Sequence, residues 1–271
     1  MNALEIRGVT KSFGAKKALD DVSFAVPENC LFGFIGANGA GKTTTMKMIL
    51  GLLKADAGEI FVCGERVRFG ETKTNRLLGY LPDVPRFYGY MRPKEYLRLC
   101  GEIVGLDAKT IKTRSAELLE LVGLSGENKK IRGFSRGMKQ RLGMAQALIS
   151  EPKVLICDEP TSALDPLGRK EILDILLQLK GKTTVVFSTH ILSDVERICD
   201  NIAVISTGKI VLESALADLK FQHKSKKITL EYENEVDAAE IIRVLSASGL
   251  APKSHETDDI SIENLFLEVA K

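Results

Sequence analysis

The stretch Gly36-Ala37-Asn38-Gly39-Ala40-Gly41-Lys42-Thr43 constrains this chain more than any other part of it. It matches the spacing GxxxxGK[ST]. Before it lies an apolar run, Leu31 to Ile35, that reads as a buried strand; after it comes a helical pattern from Lys42 to Leu50 that stops at Gly51. A strand, a glycine turn and a helix in that order let successive backbone N–H groups and the helix N-terminus surround a phosphate. Gly36, Asn38, Gly39, Ala40 and Gly41 supply that backbone, with Thr44 continuing it. Lys42 places a positive charge between the outer phosphates, and the Thr43 hydroxyl suits Mg²⁺. The competing reading is a plain Gly-rich turn with an exposed lysine.

A second apolar run, Val154 to Cys157, ends in Asp158 and Glu159. Beside such a loop, Asp158 is placed to hold Mg²⁺ and Glu159 to polarise an attacking water. Neighbours on a strand point to opposite sides, so the two can divide these roles only if the chain bends at the tip, where Pro160 follows. The run Phe134 to Arg141 (FSRGMKQR) precedes an apolar helical pattern through Leu142, Ala145 and Leu148. Ser135 is a suitable N-cap there, and the N–H groups of that helix start form a second anion site. Alone, a capped basic helix is an ordinary structural feature.

Around these motifs the chain alternates strand and helix. Leu4 to Val9 and Asp21 to Val26 read as strands, and Pro93 to Gly123 as one helical segment. Beyond Cys157 come a helix through Ile172 to Leu179, a strand at Thr184 to Phe187, a helix from Ile191 to Cys199, and strands Ile202 to Ile205 and Lys209 to Leu212 about a Thr207-Gly208 turn. This alternation predicts an α/β fold with a parallel sheet covered by helices. The polar, basic stretch 221–227 reads as a linker. From residue 228 onward, ten carboxylates stand against Arg243, Lys253 and Lys271 in a chain of formal net charge +2. A small acidic α+β domain is therefore expected over 223–271, with a strand Ile228 to Tyr232, a helix Val236 to Ala247, an extended piece Ala251 to Ser254, a turn at Asp258-Asp259 and a helix Ile262 to Val269.

Taken in this order, the motifs resemble those of the ATP-binding subunit of an ABC transporter. GANGAGKT resembles its Walker A motif, FSRGMKQR its signature, VLICDE its Walker B motif, Ser162 to Asp165 (SALD) its D-loop, and His190 in FSTHIL its switch histidine. The resemblance covers roughly residues 1 to 220. It implies a P-loop NTPase fold of the ABC-ATPase type over 1–222, with a β-rich N-terminal subdomain and a helical insertion at about 86–150. It implies ATP and Mg²⁺ as cofactors, with Phe13 stacking on adenine and Gly36, Asn38, Gly39, Ala40, Gly41, Lys42, Thr43 and Thr44 holding phosphates. Ser135 and Gly137 then cover the nucleotide of a second ATPase half in a dimer formed on ATP binding. Glu159 and His190 become the catalytic groups, and Thr43, Asp83 and Asp158 the metal ligands. The implied partner is a separate transmembrane permease, which would hold this cytoplasmic chain at the inner face of the membrane.

Two motifs depart from the family pattern. Asp83 stands where a Gln is usual, and FSRGM replaces LSGGQ, with Arg136 for a Gly and Met138 for the Gln. Both resemble ATPases serving ABC-2 type exporters, which often also end in a segment like Ile262 to Glu268.

Composition excludes several classes. A chain 44% hydrophobic and 27% charged is neither disordered nor a disulfide scaffold. Its five cysteines show no CxxC pair and read as reduced, packed thiols. The N-terminus lacks the apolar core of a signal peptide, and no apolar run nears the roughly 20 residues of a membrane-spanning helix. A soluble ABC-type ATPase working on DNA or ribosomes would need a coiled-coil insert or a second cassette, and the acidic C-terminal region speaks against nucleic acid. A GTPase would need a guanine-reading NKxD motif, which this sequence lacks.

Overall fold

A twelve-residue strand opens the chain: β1 (Asn2–Phe13) pairs antiparallel with β2 (Lys16–Pro27) on one side and β4 (Ala57–Val62) on the other. With β5 (Glu65–Arg66) these form a four-stranded sheet of order β2-β1-β4-β5. A second sheet has six strands in the order β10-β9-β3-β8-β7-β6: β3 (Leu31–Ile35), β6 (Leu78–Leu81), β7 (Val154–Asp158), β8 (Thr184–Thr189), β9 (Asn201–Ser206) and β10 (Lys209–Ala215). All its pairings are parallel except β9 with β10.

The computed structural model describes residues 1–71, 73–222 and 238–249, and the chain divides into two compact units, Met1–Gln222 and His223–Lys271. Within the first unit the parallel sheet is buried on both faces, as its unbroken apolar strands require. Leu31 and Ile35 of β3, Leu155 and Cys157 of β7, and Val185 and Phe187 of β8 face one core; Phe32 and Phe34, Val154 and Ile156, and Val186 face the other. The second core also takes the antiparallel sheet, through Phe24, whose ring stacks 5.1 Å from Phe34 and 5.7 Å from Phe32. Helix α1 (Lys42–Ile49) packs into it by Met46, Met48 and Ile49.

The first core holds the helical region: α2 (Pro93–Ile103), α3 (Ala108–Leu121), α4 (Arg136–Leu148) and, beyond β7, α5 (Pro166–Leu179) and α6 (Leu192–Ile198). The segment 93–123, expected to be helical, consists of two helices, α2 and α3. Gly105 adopts φ 80° between them, and Asp107 caps α3 by accepting from the N–H groups of Lys109 and Thr110. A short helix α7 (Leu216–Gln222) takes in the first two residues of the expected linker.

Of the second unit, α8 (Ala238–Ala247) is described and falls within the expected helix 236–247; the expected strands, the turn at Asp258-Asp259 and the last helix lie outside the described residues.

Candidate active site

Parallel strands point their C-terminal ends the same way, and the residues of interest sit at those ends. The loop after β3 is shaped by contact. A Cβ on Gly36 would stand 2.6 Å from the Ile205 carbonyl oxygen, and Gly41 combines φ 118° with a position 2.5 Å from Leu19 Cδ2. Only glycine fits either place. Gly41 is also the N-cap of α1 and offers no side chain to it, so the helix start presents its N–H groups uncapped by any side chain. Asn38 and Gly39 are exposed, Ala40 is buried, Thr43 is exposed and Thr44 half-buried.

Lys42 is 5% exposed, far less than a lysine usually is. Its Nζ donates to the carbonyls of Gly36 (2.6 Å) and Ala37 (3.2 Å) and lies 3.0 Å from Glu159 Oε1. The other carboxylate oxygen of Glu159 is 2.9 Å from His190 Nδ1. Glu159 thus bridges the P-loop lysine and the histidine beyond β8. The expected bend at the strand tip is present: Glu159 has φ 49°, a left-handed conformation uncommon for a side chain of this type. Its N–H donates to both the Ser188 carbonyl (3.1 Å) and Ser188 Oγ (3.0 Å). The same hydroxyl donates to Asp158 Oδ1 at 2.6 Å, so Ser188 sets the two carboxylates apart. Gly36, Ala37, Asn38 and His190 line a concavity of about 510 Å³.

Asp83 lies two residues beyond β6, whose Leu81 pairs with Cys157 of β7, and so reaches the same edge as Asp158. Burial, together with Asp158 and Glu159, raises the pKa of its carboxyl, and Arg136 opposes that rise. Its Oδ1 is shut from solvent and accepts no hydrogen bond. Among the described residues no group of three or more His, Cys, Asp or Glu side chains is arranged to hold a metal alone. A hydroxyl with two carboxylates nonetheless fits Mg²⁺, which binds through one or two protein carboxylates plus phosphate oxygens and waters. The unpartnered Oδ1 of Asp83 and the buried Asp158 suit that role.

Ser135 caps α4, its Oγ accepting from Met138 N–H at 3.2 Å, while Gly137 meets nothing within 4 Å of an added Cβ. Phe13 stands half-exposed at the tip of the β1–β2 hairpin, with Lys11 Nζ 5.5 Å from its ring centroid.

Sequence reasoning missed Ser188 and a buried polar knot behind it. Asp194, 1% exposed on α6, accepts from Thr161 Oγ1 (2.7 Å) and Arg169 Nε (2.6 Å), and Arg169 Nη2 donates to Ser193 Oγ (2.6 Å). The knot joins the turn after Glu159 to the helix after His190. Its only sequence signal is an acidic residue on the apolar face of a short helix. Asp194→Ala strands Arg169 and Thr161, and is expected to destabilise the fold by about 3 kcal/mol, the usual size for one removed partner of a buried pair, read as a lower urea midpoint. Replacing Asp194 and Arg169 together by Leu and Met should recover much of that loss.

A P-loop, a strand-tip carboxylate pair and a histidine beyond the next strand define a nucleotide-hydrolysing class, and the chain belongs to the ABC transporter family, whose profile matches residues 19–162. It is an ATP-binding subunit of an ABC transporter, and an ATPase. It is 43% identical over 235 residues to an uncharacterised ABC transporter ATP-binding protein, YxlF of Bacillus subtilis, covering 86% of this chain and 78% of that one. It is 40% identical over 222 residues to the bacitracin transport ATP-binding protein BcrA of Bacillus licheniformis, covering 81% and 70%. Among solved structures, an ATP-binding subunit of an ABC transporter superposes with TM-score 0.73 at 29% identity, covering 99% of this chain and all of the other. The ADP conformation of the cassette MJ1267 superposes with TM-score 0.73 at 26% identity, covering 80% and 92%. Among the described residues no helix is long and apolar enough to cross a membrane.

Proposed function

We propose that this chain hydrolyses Mg-ATP to drive export through a separate permease, working as one half of an ATP-bound dimer at the inner face of the membrane. The observation that carries the catalytic part is the contact of Glu159 with both Lys42 and His190 at the loop edge. Lys42 and the α1 N-terminus bind the triphosphate; Thr43, Asp158 and Asp83 hold Mg²⁺; Phe13 stacks on the base. The metal, when bound, supplies positive charge to the phosphate oxygens. Glu159 then takes a proton from water, and His190 holds that water in line; Ser188 keeps Asp158 in place while Glu159 does so. Ser135 and Gly137 present the α4 N-terminus to the nucleotide of the other half. Catalysis of this kind is positioning and charge stabilisation. Residues 1–222 form the nucleotide-binding domain, and 223–271 an acidic appendage without catalytic groups. Likeness to a bacitracin transport ATP-binding protein supports a role in transport.

Affinity purification of this chain from its native membrane, with the co-purified membrane protein reconstituted in vesicles, tests the reading. A multi-span permease that raises the ATPase rate is expected; undiminished solo turnover with no membrane partner would argue for an uncoupled ATPase.

A further inference from the structure

Two of the positions where this sequence leaves its family's pattern, Asp83 and Arg136, lie close together. Arg136 Nη2 lies 3.7 Å from Asp83 Oδ1, both side chains about half exposed. They come from different elements: Asp83 from the loop after β6, Arg136 from the first residue of α4. Three carboxylates crowd this strand edge, and the chain answers each differently. Lys42 and His190 meet Glu159, the Ser188 hydroxyl meets Asp158, and among the described residues Arg136 is the one cation within ion-pair distance of Asp83. The Asp83 oxygen it addresses is shut from solvent and accepts no hydrogen bond.

We propose that Arg136 is a positioning residue for Asp83, and that its guanidinium and Mg²⁺ compete for Asp83 Oδ1, so that loading the metal in one chain frees Arg136 at the head of α4. This rests on the reading of Asp83 as a metal ligand. A divalent ion at bonding distance from that oxygen weakens its hold on the guanidinium, because the two cations repel at that separation. A neutral Gln at position 83 and a Gly at 136 would carry no such competition. The consequence reaches across the dimer: the freed guanidinium stands beside Ser135 and Gly137, where a second anion is to be covered, and an arginine there adds a bidentate phosphate donor that glycine lacks. Metal binding in one half thereby prepares the other half's nucleotide contact.

The test is equilibrium binding of a fluorescent ATP analogue to the full chain, diluted so that it remains monomeric, with Mg²⁺ and in EDTA. The quantity read is the gain in affinity that Mg²⁺ provides. Arg136→Ala is expected to enlarge that gain about two- to fivefold, the range of a half-exposed ion pair. Asp83→Asn is expected to reduce it, and the double variant to match Asp83→Asn alone. Both residues are half exposed, so neither change opens the core. If Arg136→Ala enlarges the gain equally with Asn at position 83, the guanidinium acts by long-range charge and the competition is wrong. If Asp83→Asn reduces the gain but Arg136→Ala does nothing, Asp83 stays a metal ligand and the inference fails. If Asp83→Asn leaves the gain untouched, the metal-ligand reading falls and the inference with it.

Discussion

Glu159→Gln is expected to trap the chain as an ATP-bound dimer. The amide is nearly isosteric but takes no proton from water, so turnover should fall by the general-base contribution, roughly 10²- to 10⁴-fold. Nucleotide binding should persist and tighten. Glu159 Oε1 sits 3.0 Å from Lys42 Nζ, so carboxylate and triphosphate compete for the same ammonium. A neutral amide holds Lys42 less strongly, and it also removes one negative charge beside the phosphates. Size-exclusion chromatography with and without ATP decides the matter. The wild type should run as a monomer without nucleotide and the variant as a dimer with it. A variant that binds ATP yet stays monomeric would count against a site shared between two chains.

Lys42→Ala should abolish measurable ATP binding. The lysine side chain is nine-tenths buried or more, and its ammonium donates to the Gly36 and Ala37 carbonyls and is ion-paired with Glu159. In exchange for these it offers phosphate oxygens charge-assisted contacts of about 1.5–3 kcal/mol each, so losing two weakens binding by about 10²- to 10⁴-fold. The variant should also be less stable without ligand, because Glu159 then keeps only His190 as a partner for a mostly buried carboxylate. Isothermal titration with Mg-ATP and a urea melt measure the two effects separately; unchanged affinity would overturn the P-loop assignment.

What was legible in the sequence follows from how far each contact spans. The loop 36–43, the strand before it and the helix after it are local, and glycine is demanded by close contacts that no other residue tolerates, so the motif announces itself. The buried strands β3, β7 and β8 stand out because both faces are apolar. Strand β4 was not anticipated: Ile60 and Val62 alternate inward, but two glycines and alanines dilute the pattern around Gly58, which approaches the Gly8 carbonyl within 2.4 Å of an added Cβ. The pairs that complete the site lay beyond sequence reasoning for another reason. Ser188 meets Asp158 across 30 residues, Asp194 meets Thr161 across 33, and Arg136 meets Asp83 only once α4 has docked beside β6. The first is a product of parallel strand register and the other two of how helices pack on the sheet, neither of which a local pattern encodes. Asp83 and Arg136 looked like two separate departures, and the fold makes them one.

The place of β3 in the sheet also bears on how the chain comes into being. It is a central strand, yet its neighbours β8 and β9 lie far downstream: Leu31 pairs with Val185, and Phe32 with Asn201. On a ribosome, the antiparallel β1–β2–β4 sheet can close early, but the P-loop strand has no partner in its sheet until Thr189, the end of β8, has emerged, and its second neighbour β9 comes later still. At about 5–20 residues per second, that leaves an unpaired apolar strand waiting roughly eight to thirty seconds. Nucleotide therefore cannot help start folding, since the cradle it needs is among the last parts to be closed. It stabilises only the finished domain, by slowing its unfolding. The waiting strand is short, five residues with a glycine at its centre, which limits the template it offers to other chains in the meantime.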